Sequence, residues 1–234
     1  MGGNPLVKQT SQSALLSLTD VFQYLSEEEL EHLSHQCPDI SLAEGQDLEG
    51  FGDYYNRGIF VIKVGRIRLI RVGSTSRPLT IVTLPAGSVL STWYTQGLHV
   101  QAIEPCVLLY IDRKELKSLV RKEPEVGLAL IEHLAGYVRL LADRLFDVSH
   151  KNVSSRLASL LLTLLDSDGV VSRRGYEIPT RYTHEELGTM IGAQRVAVTR
   201  AFNFLRKAGA LEVEQHRIRV RDTSIMQRIA GEER

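Results

Sequence analysis

One stretch of the chain carries the chemistry to read a nucleic acid. In residues 194–203, QRVAVTRAFN, Arg195 and Arg200 supply guanidiniums that pair two-pronged with the O6 and N7 acceptors of guanine. Thr199 offers a hydroxyl and a methyl that can touch a thymine methyl, and Gln194 and Asn203 carry amides. At about 100° per residue, Arg195, Arg206, Thr199, Asn203, Val196, Lys207 and Arg200 share an arc of about 140°. Phe204, Ala197, Ala201, Leu205, Val198 and Phe202 fill the opposite side. One face can therefore pack while the other presents donors, as a helix in a DNA major groove requires. An ordinary amphipathic helix with a solvated basic face would show the same arc; the flanking residues favour the first reading.

Those flanks give the helix a partner and a turn. Thr183 and Glu186 have the S/T-x-x-E spacing of a capping box, which fixes a helix start. Leu187, Met190 and Ile191 give that helix an apolar stripe, and Gly192 breaks it. With Gly209 beyond the second helix, residues 183–209 read as a helix-turn-helix. Residues 211–220, LEVEQHRIRV, alternate on both sides of Gln215 and His216, so they read as a hairpin and make the motif a winged helix. His216 and Arg217 fall at the wing tip, within reach of a phosphate; a plain surface hairpin is the other reading, and both stay open. The candidate DNA-binding set is Thr183, Gln194, Arg195, Val196, Thr199, Arg200, Asn203, His216 and Arg217.

A second set of residue types suggests metal chemistry. His32, His35 and Cys37 are zinc-ligand types on or beside a helix opened by the capping box Ser26–Glu29. Helical geometry separates them: Cys37 projects with Leu30 and Leu33, about 140° from His32 and about 160° from His35. No metal and no cofactor are expected.

The remaining elements must position the motif. Residues 40–111 contain short Val/Ile/Leu runs (59–64, 67–72, 79–84, 107–111) separated by turn residues, the pattern of an antiparallel barrel or sandwich. Gly65 between the first two runs predicts a hairpin turn. Residues 112–120 predict a short helix. Pro124 starts a long one, to about His150, with a heptad at Ile131, Leu134, Val138, Leu141, Leu145 and Val148. β-Branched residues with Leu in such a repeat favour a parallel two-stranded coiled coil; packing of this helix on its own barrel is the alternative. A parallel dimer would set two recognition helices about one DNA turn apart. Residues 153–165 predict a core helix, 166–174 a polar loop and 176–179 a short strand. The expected fold class is α+β. An antiparallel β-roll fills 1–122, a dimerisation helix 123–150 and a winged helix-turn-helix 151–234.

The chain has 234 residues and no net charge, with 28 basic and 28 acidic side chains. From His150 onward the net is +4, and before it −4, so the basic excess lies with the helix-turn-helix. Two cysteines, Cys37 and Cys106, give no disulfide framework, and no apolar run approaches a membrane span. A reducing cytoplasm is expected, with no membrane partner. Residues 1–12 are polar and expected to fray. No Walker loop, nucleophile elbow or HExxH pair points to an enzyme.

The order of barrel, long helix and winged helix resembles the CRP/FNR superfamily of bacterial transcription regulators, over nearly the whole chain from Asp20. Phe60-Val-Ile-Lys-Val-Gly65 is similar to the family's roll hairpin, and Glu123-Pro-Glu125 to the opening of its dimer helix. Ser155-Arg-Leu-Ala158 also matches, and Ile191-Gly-Ala-Gln-Arg-Val-Ala-Val-Thr-Arg200 resembles the recognition helix of the cyanobacterial nitrogen regulator branch. The resemblance implies a homodimer on a palindromic double-stranded DNA site, with RNA polymerase as a further partner. It also implies that Gln194, Arg195, Val196, Thr199 and Arg200 lie over base edges. Val196 stands where the cyclic-AMP branch has a glutamate. The nitrogen branch implies half-sites with GT near one outer end and AC near the other.

The chain departs from the family where the family binds effectors. Cyclic-AMP binders carry a glutamate for the ribose hydroxyls and an arginine for the phosphate in a cassette. The corresponding segment 86–102, AGSVLSTWYTQGLHVQA, has no acid and no arginine. A phosphate buried there without a cation would be costly. Leu141 and Ala142 replace the Thr-Ser pair that meets adenine, and Tyr137 falls where the nitrogen regulator has an arginine for 2-oxoglutarate. The four cysteines of an iron–sulfur sensor are missing. His99 could ligate haem as in a carbon-monoxide-sensing branch; a lone hydrogen-bonded surface histidine is the plainer reading. The expectation is a dimeric DNA-binding regulator that is not gated by cyclic AMP and acts without an effector. A sensor holding an unidentified small molecule in the altered roll is the alternative.

Overall fold

Ser26 and Glu29 form the reciprocal cap that their spacing predicts: the Ser26 N–H reaches Glu29 Oε2 at 2.9 Å and the Glu29 N–H reaches Ser26 Oγ at 3.3 Å. Two otherwise orphaned donors are thereby satisfied, and helix α1 (Glu27–Gln36) starts there. The protein is described by a computed structural model covering residues 19–48, 58–73, 78–92, 97–172, 175–214 and 217–231. The chain divides into two units, 1–138 and 139–234.

In the N-terminal unit, seven strands follow α1. They are β1 (Asp39–Leu42), β2 (Ile59–Val64), β3 (Arg66–Val72), β4 (Pro78–Pro85), β5 (Val89–Ser91), β6 (Leu98–Ala102) and β7 (Cys106–Ile111). They make two antiparallel sheets, ordered β1-β7-β2-β5 and β4-β3-β6. β2 explains the layering. Its alternate residues Phe60 and Ile62 join Ile67, Leu69, Leu84 and Leu108 in one core, while Ile59 and Val61 join Phe22, Leu33, Leu109 and Leu119 in another. A strand covered on both faces reads as an unbroken apolar run. Its one charge, Lys63, is buried and paired with Asp39 at 2.9 Å.

Gly65 corrects the sequence reading. It sits at positive φ (82°), but β2 and β3 do not pair; they belong to different sheets. Gly65 is a corner between sheets rather than a hairpin turn. A Cβ there would lie 2.5 Å from the Pro105 carbonyl oxygen, so the backbone contact itself demands glycine.

Helix α2 (Arg113–Lys122) is capped by Asp112, whose carboxylate accepts from the Glu115 N–H at 2.8 Å; Asp112 is the cap, not the first helical residue. Helix α3 (Pro124–His150) is 27 residues long. Val126 is buried in the N-terminal unit's core, but the six heptad residues are between 45 and 69% exposed. On the first part of α3, His133 and Tyr137 are tied to the backbone of Val89 in β5. Cys37 is buried at the end of α1 while His32 and His35 are exposed, and His99 is exposed on β6.

In the C-terminal unit, Asn152 caps α4 (Val153–Asp168) by accepting from the Ser154 and Ser155 N–H groups at 2.9 and 3.0 Å. The segment read as a polar loop supplies the last turn of α4 and a strand, β8 (Val170–Ser172), paired with β9 (Gly175–Ile178). Then come α5 (His184–Ile191), α6 (Arg195–Lys207), β10 (Leu211–Glu214), β11 (Arg217–Val220) and α7 (Thr223–Ala230). The four strands form one sheet, β10-β11-β9-β8. Leu157, Leu161, Ile178, Leu187, Val198, Phe202, Leu205, Ile218 and Met226 form the core. Among the described residues, no helix is long and apolar enough to cross a membrane.

Candidate nucleic-acid interface

Thr183 sets the first helix of the motif. Its N–H reaches Glu186 Oε2 at 2.7 Å, its hydroxyl donates to the same oxygen at 2.8 Å, and its Oγ accepts from the Glu186 N–H at 3.1 Å. Its side chain is thus spent on the cap. Gly192 ends α5 in the left-handed region (φ 64°, ψ 42°), a conformation that glycine adopts without penalty. Helix α5 itself carries a second glycine, Gly188, where the turn backbone passes close by. A Cβ there would lie 2.6 Å from the Ala193 carbonyl oxygen and 3.5 Å from Val198 Cγ2. The sequence signal was a glycine inside a helical run, which costs about 1 kcal/mol against Ala and so calls for a packing reason.

Helix α6 divides much as its residue pattern requires. Val198, Ala201, Phe202 and Leu205 are buried. Gln194, Arg195, Val196, Arg200, Asn203, Arg206 and Lys207 are exposed, and Thr199 is half-buried. Gln194 is the extended N-cap residue, with no cap bond from its side chain. Phe204 departs from expectation: it is 48% exposed and lines a hollow with Asn152, Val153, Ala197 and Arg200.

Thr199 is held more firmly than its neighbours. Its hydroxyl donates to the Arg195 carbonyl at 2.9 Å and also lies 2.9 Å from Nδ1 of His184, the first residue of α5. The His184 ring rests on Phe202, with centroids 5.0 Å apart. Burial, and then the Arg195 charge, push the His184 imidazole below its ordinary pKa. Local periodicity gives no sign of His184, which meets Thr199 across the turn and 15 residues away.

Charge is distributed unevenly over the unit. Arg217, assigned to the wing tip, donates to Glu177 on β9 at 2.8 Å. Arg219 pairs with Glu177, Glu212 and Glu214, and Arg221 with Glu212 at 3.6 Å. Arg217, then Arg219, hold the Glu177 carboxyl below the usual carboxylate range. The wing cations are therefore matched by acids, whereas Arg195, Arg200, Arg206 and Lys207 on α6 form no ion pair among the described residues. His216 lies outside the described residues.

Comparison with known proteins agrees with this arrangement. Residues 155–229 match the Crp-like helix-turn-helix domain. The chain is 26% identical over 176 residues to the global nitrogen regulator of Synechocystis sp., covering 72% of this chain and 78% of that protein. It is 24% identical over 179 residues to the cyclic AMP receptor protein of Thermus thermophilus, covering 74% and 80%. In fold it is similar to a mutant of CooA from Carboxydothermus hydrogenoformans, with a TM-score of 0.77 over 94% of this chain and 99% of that one, at 22% identity. A Crp-like helix-turn-helix domain over residues 155–229, together with the similarity to cyanobacterial global nitrogen regulators, supports a transcription regulator of the CRP/FNR type.

Proposed function

We propose that the protein acts as a cytoplasmic homodimer on a palindromic DNA site, with one α6 in the major groove of each half-site. The observation that carries this is the contrast in charge: α6 presents four cations unmatched by acids among the described residues, while the arginines of the wing are ion-paired. Unmatched cations can replace the counterions of DNA phosphates and reach guanine edges, and matched ones first have to give up their acids. Arg195 and Arg200, with Val196, Thr199, Asn203 and Gln194, read bases; Thr183 fixes the start of α5. Arg217 assists through phosphate. RNA polymerase is the further partner.

The dimer forms along Ile131, Leu134, Val138, Leu141, Leu145 and Val148, whose exposure in the single chain leaves an apolar stripe for a second copy. Cyclic AMP is not the effector. Segment 86–102 has neither acid nor arginine, and Tyr137, half-buried, donates its hydroxyl to the Val89 carbonyl at 3.1 Å. Burial pushes that phenol up to about 12, so it stays neutral and offers no charge to a phosphate.

Selection of bound duplexes from random DNA tests the reading. The expected product is a two-fold symmetric site, enriched without cyclic AMP and unchanged by adding it. Failure to enrich any sequence contradicts sequence-specific binding.

A further inference from the structure

We infer that Thr199 reads DNA through its methyl group and not its hydroxyl, and that His184 is the residue that positions it. The inference rests on the reading above that α6 lies in the major groove.

A threonine hydroxyl has one proton to give. Here that proton goes to the Arg195 carbonyl, one turn back along α6, at 2.9 Å. The contact from His184 Nδ1, also 2.9 Å, must then run the other way, with Nδ1–H donating to Thr199 Oγ1. Both contacts draw the oxygen toward protein and fix χ1, since the side chain is β-branched and stiff. With its oxygen claimed on two sides, the group that Thr199 turns to the open side of the helix is its methyl. That group matches the C5 methyl by which the major groove marks a thymine.

His184 is itself held. Its ring lies against buried Phe202, so Nδ1 is not free to swing away from Thr199. The two helices of the motif are thus coupled at the base-reading surface by a side-chain bond, in addition to the turn at Gly192. A threonine released from this bond would exchange rotamers and present hydroxyl and methyl in turn.

Deoxyuridine in place of thymidine removes the C5 methyl and leaves the hydrogen-bonding edge unchanged, which makes it the probe. The full-length protein is titrated with its selected duplex, in which each thymidine is replaced singly. At one position per half-site the wild type is expected to lose about fourfold in affinity, the value of one buried methyl. Thr199→Val, which keeps a methyl and lacks the hydroxyl, should show the same loss at the same position. Thr199→Ser, which keeps the hydroxyl alone, should show none.

His184→Ala should shrink the loss, and His184→Asn should restore it, because the Asn amide can donate from the place of Nδ1. Both His184 variants lose the ring contact with Phe202, so a common fall in melting temperature would not reproduce this split. If Thr199→Val abolishes the preference while deoxyuridine leaves the wild type unaffected, the hydroxyl reads the base and the inference is overturned. An undiminished penalty in His184→Ala removes His184 from the role. The Thr199 pair decides the first point even where His184→Ala fails to fold. Absence of any duplex binding by the wild type would instead defeat the DNA reading itself.

Discussion

The Val89 N–H donates to Nε2 of His133 at 3.1 Å, which ties strand β5 to helix α3 through a neutral imidazole. Tyr137, one turn further along α3, closes the same contact: its hydroxyl reaches the Val89 carbonyl at 3.1 Å and His133 Nε2 at 2.8 Å. The backbone of one residue is thus gripped at both its donor and its acceptor by side chains four apart on a helix.

This grip depends on pH with a definite sign. Burial pushes the His133 imidazole below its ordinary value, against a smaller opposing pull from the Asp20 carboxylate. A proton on Nε2 would turn to the Tyr137 hydroxyl oxygen, 2.8 Å away, and leave the Val89 N–H without its acceptor. The folded state therefore resists a proton that the unfolded chain accepts near about pH 6.5. The stabilisation is intact above that pH and is lost as the pH falls through the depressed folded value. Thermal melts between about pH 8 and about pH 5.5 check it: the wild type should lose more stability on acidification than His133→Gln, which has no proton to take up. Equal losses would show that His133 does not carry the effect. His184, whose imidazole is likewise depressed, contributes to both proteins alike.

The stripe on α3 makes a second expectation. Leu134→Lys with Leu141→Lys places cations where two copies would meet. Each buried Leu is worth about 1.5–3 kcal/mol, so the dimer constant should weaken by at least about 100-fold. Sedimentation should show the dimer lost, and DNA affinity should fall with it. A wild type that sediments as a monomer at about micromolar concentration would contradict the dimer outright.

Local chemistry was legible in the sequence, and tertiary choice was not. The boxes at Ser26–Glu29 and Thr183–Glu186 formed as their spacing demands, because a capping box is contained within four residues. The buried face of α6 followed from helical period alone. Gly65 shows the limit: positive φ suits a hairpin turn and a sheet corner equally, and only the pairing of distant strands separates them. Strand β8 and helix α7 went unread because each is short and stabilised by its neighbours. The acids that occupy Arg217 and Arg219 come partly from β9, some 40 residues earlier, beyond the reach of any local pattern.

Arg195 and Arg217 should separate in function. Arg195 is exposed on α6, and a bidentate guanine contact is worth about 1–3 kcal/mol of discrimination. Arg195→Ala should flatten preference for G at one position of each half-site. Arg217→Ala should leave the preferred sequence unchanged, with a uniform loss and a salt slope shallower by no more than about one, since Glu177 already holds that guanidinium. Competition titrations at several salt concentrations distinguish the two, and equal loss of specificity in both variants would sink the division of labour.

Val196 should decide which base lies beside the guanine. It is 60% exposed, an apolar residue on the polar face of α6, in the first turn after Arg195. By resemblance, the cyclic-AMP branch has a glutamate at this place, and a glutamate can accept from the N4 amine of cytosine. Valine has no acceptor to offer, so the half-site should keep the G read by Arg195 and show no G·C preference at the glutamate's position. Val196→Glu should gain that preference, by about 1–3 kcal/mol at one pair in each half-site. The added carboxylate would also repel phosphates, so total affinity should fall even as selectivity rises. Those opposite signs distinguish a new base contact from a change in overall charge. Parallel binding-site selections on wild type and variant check it, and identical sequence preferences would mean that Val196 does not face the bases.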